Sequence, residues 1–424
     1  MKNPVLICLF VCLLILQTSC KKPNPILSVI AMTEVFGDGQ KVTAAIVEYE
    51  TDIRNTSISA NDFSVEGRTV TKVYANTSAN KASEGTDGKY VVLELSPADS
   101  AATLFVQQGR TNVLKNARIS VKQTGTVYTV EGKKYGPWDQ SLLDNKQINL
   151  VVDDFIQGKY KDPETGETLD YNLFVPRDYD SSKSYPLVMF IHDAGTISNE
   201  VKTTLVQGLG AVIWATPAEQ AKHECFVLAP QYDTLIVNDD SEAGDYLDIT
   251  IHLIEELIGK YNIDTNRLYA TGQSGGCMMS IAMNIKYPDF FAASFLVAGQ
   301  WNANLVAPVA KKELWIVVSE GDEKAYPGMN AITAELEKEG AKVSRAFWDG
   351  RSTPEEFEKD VEKMLAKKAN VNYAVFEKGT VVPEGMKDDS GSNHICTWRI
   401  AYTIEGIRDW LFKQEKLNNS EEDK

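Results

Sequence analysis

Histidine is scarce in this chain: four residues in 424, at positions 192, 223, 252 and 394. Positive charge is also in deficit, with 43 Lys and Arg against 59 Asp and Glu and a net charge of −16. A polyanion is repelled by such a field, so nucleic acid is not an expected partner. No apolar run reaches the roughly 20 residues that span a bilayer, apart from a shorter one at the extreme N-terminus, which excludes a transmembrane body. Cysteine is sparse. Cys8 and Cys12 lie in that N-terminal run and Cys20 just after it, leaving Cys225, Cys277 and Cys396. Three cysteines without short spacing signal neither a disulfide framework nor a zinc cluster, and are expected to be buried thiols. The acidic run Asn238-Asp239-Asp240 with Glu242 and Asp245 lacks the spacing of a calcium loop, so no metal and no cofactor is expected.

What is present begins with a leader. Lys2 is followed by an apolar stretch from Val5 to Leu16 and then Gln17-Thr18-Ser19-Cys20-Lys21-Lys22. A basic start, an apolar core and small residues before a break are the layout of a secretory signal peptide over 1–19. Thr18-Ser19-Cys20 resembles a bacterial lipobox, although Leu16 stands one position further from the cysteine than usual. The resemblance implies acylation of Cys20 and a membrane-anchored protein of the bacterial cell envelope.

Beyond the leader the length suggests two or three domains, and the composition, 43% hydrophobic and 24% charged, is that of a globular chain. From about Leu27 to Val130 short alternating β-branched segments are separated by turn residues. Gly37-Asp38-Gly39 is a strong hairpin signal between two of them. About seven such strands without a helical period predict an immunoglobulin-like β-sandwich over 20–136, with no catalytic group in it. From 137 to 415 strands alternate with helices. Apolar strands such as Leu187–Ile191, Arg267–Thr271 and Leu314–Val318 are interleaved with amphipathic stretches such as Asp245–Tyr261. This predicts an α/β domain with a mostly parallel sheet covered by helices on both faces. One closing helix is expected over Thr397–Gln414, an insertion over Gly350–Asn370, and a polar tail over 416–424.

The chemistry concentrates at Gly272-Gln273-Ser274-Gly275-Gly276, between a predicted strand and a predicted helix. Gly-x-Ser-x-Gly works there because small neighbours allow a sharp turn that exposes the serine at a helix N-terminus. A serine nucleophile needs a base. His252 falls within the amphipathic helix and His223 before a strand, so both read as structural or solvated. Of the other two, only His394 follows Ser274. The stretch resembles the nucleophile turn of α/β-hydrolases, and that resemblance implies the order serine, acid, histidine; His394 is expected in a mobile loop before the last helix. The acid should follow a strand between them. Asp322, after Leu314–Val318, is the first choice and Asp349, after Val343–Trp348, the second. Two backbone N–H groups should hold the oxyanion, one from Gly275 and one from the loop His192-Asp193-Ala194-Gly195, where Ala194 is the choice. Gln273 and Trp301 are candidates for the substrate pocket.

These stretches, with Asp170–Pro176, Tyr185–Val188, Ala229-Pro230-Gln231, Trp398 and Trp410–Phe412, resemble bacterial two-domain carboxylesterases with an N-terminal immunoglobulin-like domain. That group is near the feruloyl and acetyl esterases and the prolyl oligopeptidase-type hydrolases. The resemblance covers most of 150–415 and implies a serine hydrolase acting on small acyl or carbohydrate-linked carboxylic esters. A serine peptidase of prolyl oligopeptidase type and an inert glycan- or partner-binding lipoprotein are the competing readings. No β-propeller repeat supports the first, and the complete Ser/Asp/His set argues against the second. The oligomeric state is left open.

Overall fold

The computed structural model describes residues 25–108 and 111–416. The leader, Cys20 and the tail beyond 416 lie outside the described residues. Among those described, no helix is long and apolar enough to cross a membrane.

The N-terminal part is a β-sandwich. One sheet runs Lys146–Asn149, Ile26–Phe36, Gly39–Ile53, Gly88–Leu95, Val70–Asn76, and the other Leu142–Leu143, Ser120–Gln123, Phe63–Val65. Side chains alternate across a strand, so Val29, Ala31, Ala45 and Val47 share a core with Phe63 and Val121. Their neighbours Ile30, Met32, Ala44 and Ile46 point the other way and are also buried. Ala79 and Ala82, in the long polar loop after Asn76, fold over that outer face, where the Ala82 N–H donates to the Tyr74 hydroxyl at 2.8 Å. The sandwich does not stop at the expected 136. Leu142–Leu143 pairs with Ser120–Gln123, and Lys146–Asn149 runs parallel to Ile30–Thr33.

The second part is a nine-stranded sheet. From edge to edge it runs Ile156–Lys161, Thr168–Phe174, Phe226–Gln231, Tyr185–Ile191, Ile263–Gln273, Ala293–Val297, Glu313–Ser319, Val371–Phe376, Val343–Trp348. The first pairings are antiparallel, and from Phe226–Gln231 onward all are parallel. The period of two sends Leu187, Met189 and Ile191 to one face, under Tyr246–Lys260, Gly275–Lys286 and Ala325–Lys338. Val188 and Phe190 go to the other, under Pro354–Leu365, Ser390–Ala401 and Glu405–Leu411. Fully buried strands of this kind read as continuous apolar runs.

Within 350–370 lies the helix Pro354–Leu365, started by a reciprocal Thr353–Glu356 cap, and strand Val343–Trp348 lies outside Val371–Phe376 at the edge. Two features differ from the sequence reading. The closing helix is two helices, broken around Tyr402–Ile404. His394 is not in a loop but in the first turns of Ser390–Ala401, which Asp389 caps by accepting from the Ser392 N–H. Cys225, Cys277 and Cys396 are free and buried.

Candidate active site

Strand Ile263–Gln273 ends at the centre of the sheet, and Ser274 turns the chain into helix Gly275–Lys286 with φ 52° and ψ −117°. A non-glycine residue at positive φ is strained and persists only where its surroundings over-determine it. The flanking glycines show how. A Cβ on Gly272 would lie 2.5 Å from the Gly276 carbonyl, and one on Gly276 would lie 2.0 Å from the Ile191 oxygen. Strand, turn and helix therefore approach too closely for any side chain, and the Ser274 N–H is tied to the Val297 oxygen at 2.9 Å.

His394 Nε2 lies 2.8 Å from Ser274 Oγ, and His394 Nδ1 lies 2.5 Å from Asp322 Oδ2. Residues 120 and 72 positions apart thus form one hydrogen-bonded chain. Asp322 follows strand Glu313–Ser319, and its Oδ1 accepts from the Lys324 and Ala325 N–H groups at 3.0 Å each. Burial pushes the Asp322 carboxyl up, but His394 and the two backbone donors outweigh it and hold the group below the ordinary aspartate value. The helix that carries His394 is fixed to the acid's own strand by Asn393, whose Oδ1 accepts from Ser319 Oγ at 2.9 Å. Trp398 meets the His394 ring edge-on at 5.1 Å.

Beside Ser274, the loop after strand Tyr185–Ile191 presents Ala194. Its amide nitrogen lies 3.5 Å from where a Gly275 Cβ would be, so the Ala194 and Gly275 N–H groups border the same space. Among the described residues neither has a hydrogen-bond acceptor. His192 is buried and neutral in tendency, its basicity lowered by desolvation. Its Nε2 accepts from the Tyr232 N–H at 3.0 Å and its Nδ1 lies 2.8 Å from the Asp193 oxygen. A cleft of about 310 Å³ opens over these groups, with Ile197, Leu235, Met278 and Trp398 on its apolar side and a Lys324–Asp239 ion pair at its rim.

Residues 28–136 match the family described as the esterase Ig-like N-terminal domain. A solved structure described as a thermostable esterase superposes with a TM-score of 0.80 at 29% identity, over 92% of this chain and 100% of that one. The chain is an α/β-hydrolase fold preceded by an immunoglobulin-like domain of the esterase type. Acetylxylan esterase A of Emericella nidulans is 29% identical over 93 residues, 18% of this chain and 31% of that protein. A probable acetylxylan esterase A of Aspergillus terreus is 23% identical over 189 residues, 39% of this chain and 58% of that protein. The matches span less than two thirds of these curated relatives.

In this α/β-hydrolase the remaining candidates fall elsewhere. Gln273 is buried behind the serine, donating at 3.0 Å to both Asp193 and Gln207, and does not line the cleft. Trp301 packs in the core, also away from the cleft. Asp349 is exposed and its carboxylate accepts from the Arg351 N–H, so it does not approach His394. His252 pairs with Asp162, and His223 pairs with Asp409 while stacking on Phe412 at 4.4 Å. Glu219, His223 and Asp409 are close enough to share an ion, but Arg408 already binds Glu219 at 2.8 Å. The group fastens the last helix to Pro217–Lys222. Sequence reasoning missed Asn393 and Gln107, since a single amide in a helix or a hairpin strand carries no pattern.

Proposed function

We propose that this protein is a serine hydrolase that cleaves small acyl or carbohydrate-linked carboxylic esters through an acyl-enzyme. The observation that carries the reading is the chain Asp322–His394–Ser274 at a strained turn beside the Gly275 and Ala194 N–H groups, which have no acceptor among the described residues. His394 Nε2 takes the Ser274 proton as Oγ attacks the acyl carbon. The oxygen that becomes negative is held by the Gly275 and Ala194 N–H groups, which act where charge develops. His394, its positive form stabilised by Asp322, then returns the proton to the leaving alcohol; water repeats the sequence on the acyl-enzyme. The esterase names of the relatives support an ester over a peptide. The size of the cleft, at the lower end for small-molecule sites, suits a short acyl group.

The test is labelling by a fluorophosphonate probe, with turnover of acetyl, butyryl and feruloyl esters and a peptide amide. Labelling that Ser274→Ala abolishes, and esters cleaved well ahead of the amide, are expected. Full turnover in Ser274→Ala would refute the assignment. The leader and Cys20 support export and lipid anchoring, so Cys20→Ala should move the protein out of the membrane fraction; unchanged partitioning would contradict the anchor.

A further inference from the structure

Among the described residues, the N-terminal domain reaches the candidate active site through the hairpin of Phe105–Gln108 paired with Thr111–Leu114. Gln107 donates from Nε2 to Asp193 Oδ1 at 2.9 Å and lines the cleft. Its cross-strand partner Asn112 donates to the Gly195 and Ile197 oxygens at 3.0 and 3.1 Å. The fit is close: a Cβ on Gly195 would lie 1.6 Å from Gln107 Nε2, so the glutamine amide occupies the space any side chain there would need.

Asp193 is 3% exposed. A buried carboxylate persists only when its lone pairs are met by donors. Oδ1 accepts from the Gly195 N–H at 2.8 Å and from Gln107, and Oδ2 from Thr196 Oγ1 and Gln273 Nε2 at 3.0 Å each. Three of these donors belong to the hydrolase domain and one to the sandwich. Ala194, whose N–H faces the reacting space, lies between Asp193 and Gly195, both of which Gln107 touches.

We propose that Gln107 is a positioning residue of the oxyanion loop: an amide from the N-terminal domain completes the donor set of Asp193 and thereby sets the direction of the Ala194 N–H. The inference rests on the serine-hydrolase reading above. Without the amide, the Asp193 charge must find water or turn. Either response shifts a loop whose displacement by about 1 Å can cost on the order of 10²-fold in rate.

The full-length protein is compared with its Gln107→Ala and Gln107→Glu variants, in ester turnover and in the rate of Ser274 phosphonylation by a fluorophosphonate. Gln107→Ala should lower kcat and the labelling rate roughly tenfold to a hundredfold and change KM by less than about threefold. Gln107→Glu should be worse at pH 8, where two carboxylates oppose each other, and its activity relative to the wild type should recover as pH falls and the introduced carboxyl protonates into a donor. That recovery is reversible within one preparation, so misfolding cannot imitate it. Wild-type kcat and labelling in Gln107→Ala, a change confined to KM, or a Gln107→Glu ratio that does not vary with pH would overturn the proposal while leaving the serine-hydrolase reading intact. A wild-type protein that neither cleaves esters nor reacts with the probe would bring down both.

Discussion

At the residue scale, the choice between Asp322 and Asp349 turns on what each carboxylate touches. Asp322 is 1% exposed, spends one oxygen on two backbone N–H groups and aims the other at His394. Asp349 spends its own on a surface turn. Asp322→Ala should therefore lower kcat by roughly 10⁴, less than loss of serine or histidine, because the base survives but loses its orientation. Asp349→Ala should match the wild type in kcat and KM, and the reverse pattern would displace Asp322 as the acid. The three side chains that the structure brings together, and that are proposed to react, could be picked out in the sequence for separate reasons: the serine from its glycines, the histidine from scarcity and chain order, the acid from its place after a strand. Gln107 and Asn393 were not legible. Each works through one hydrogen bond to a residue distant in the chain, 86 positions away for Gln107 and 74 for Asn393, and no local spacing records such a bond.

At the scale of elements, helices were legible where one apolar face stood out, and their ends were not. The apolar pattern from Thr397 runs on past 411 because both closing helices cover the same sheet face, and neither Pro nor Gly marks the break at Tyr402–Ile404. A polar pair fixes another helix. His252, on Tyr246–Lys260, lies 2.8 Å from Asp162 at the end of edge strand Ile156–Lys161. Burial pushes the Asp162 carboxyl up, but Thr165 and His252 outweigh it and bring it down to about 2, while the hydrogen bond and charge of Asp162 raise His252. A lowered carboxylate contributes stability above its unfolded value of about 3.9, and that contribution is lost as pH falls through about 2. A raised imidazole contributes below its unfolded value of about 6.5, and that is lost as pH rises through the folded value. The pair is thus fully stabilising between about pH 4 and 6.5. Thermal melts of the wild type and Asp162→Asn should differ most inside this window; the difference should vanish as pH falls through about 2 and shrink only in part as His252 loses its proton, because the Thr165 bonds to the carboxylate remain. A difference constant with pH would mean that the asparagine loses packing rather than charge.

At the scale of the whole molecule, the change of texture from β-branched alternation to strand and helix placed two domains in the right order. It could not show how they join, because the joining contacts are non-local: Lys146–Asn149 completes a sheet by pairing with Ile30–Thr33, 116 residues earlier. Nor could it show that the sandwich lends a side chain to the hydrolase core. Phe105, 4% exposed, belongs to the cluster that contains Phe174, Val188 and Phe190, and Val35 packs against the same cluster. A shared apolar contact of this kind makes separation of the domains expose surface in both, so they should unfold together even though the sandwich has a core of its own. Calorimetry of the wild type should show one cooperative transition. Phe105→Ala, a buried aromatic truncation expected to cost about 3 to 5 kcal/mol, removes coupling as well as packing. Its trace should split into two transitions, the lower one accompanied by loss of esterase activity as the Gln107 contact parts. Two independent transitions already present in the wild type would show that the interface carries no coupling. A single transition shifted to lower temperature in the variant would place the coupling on the polar contacts of Gln107 and Asn112 rather than on Phe105.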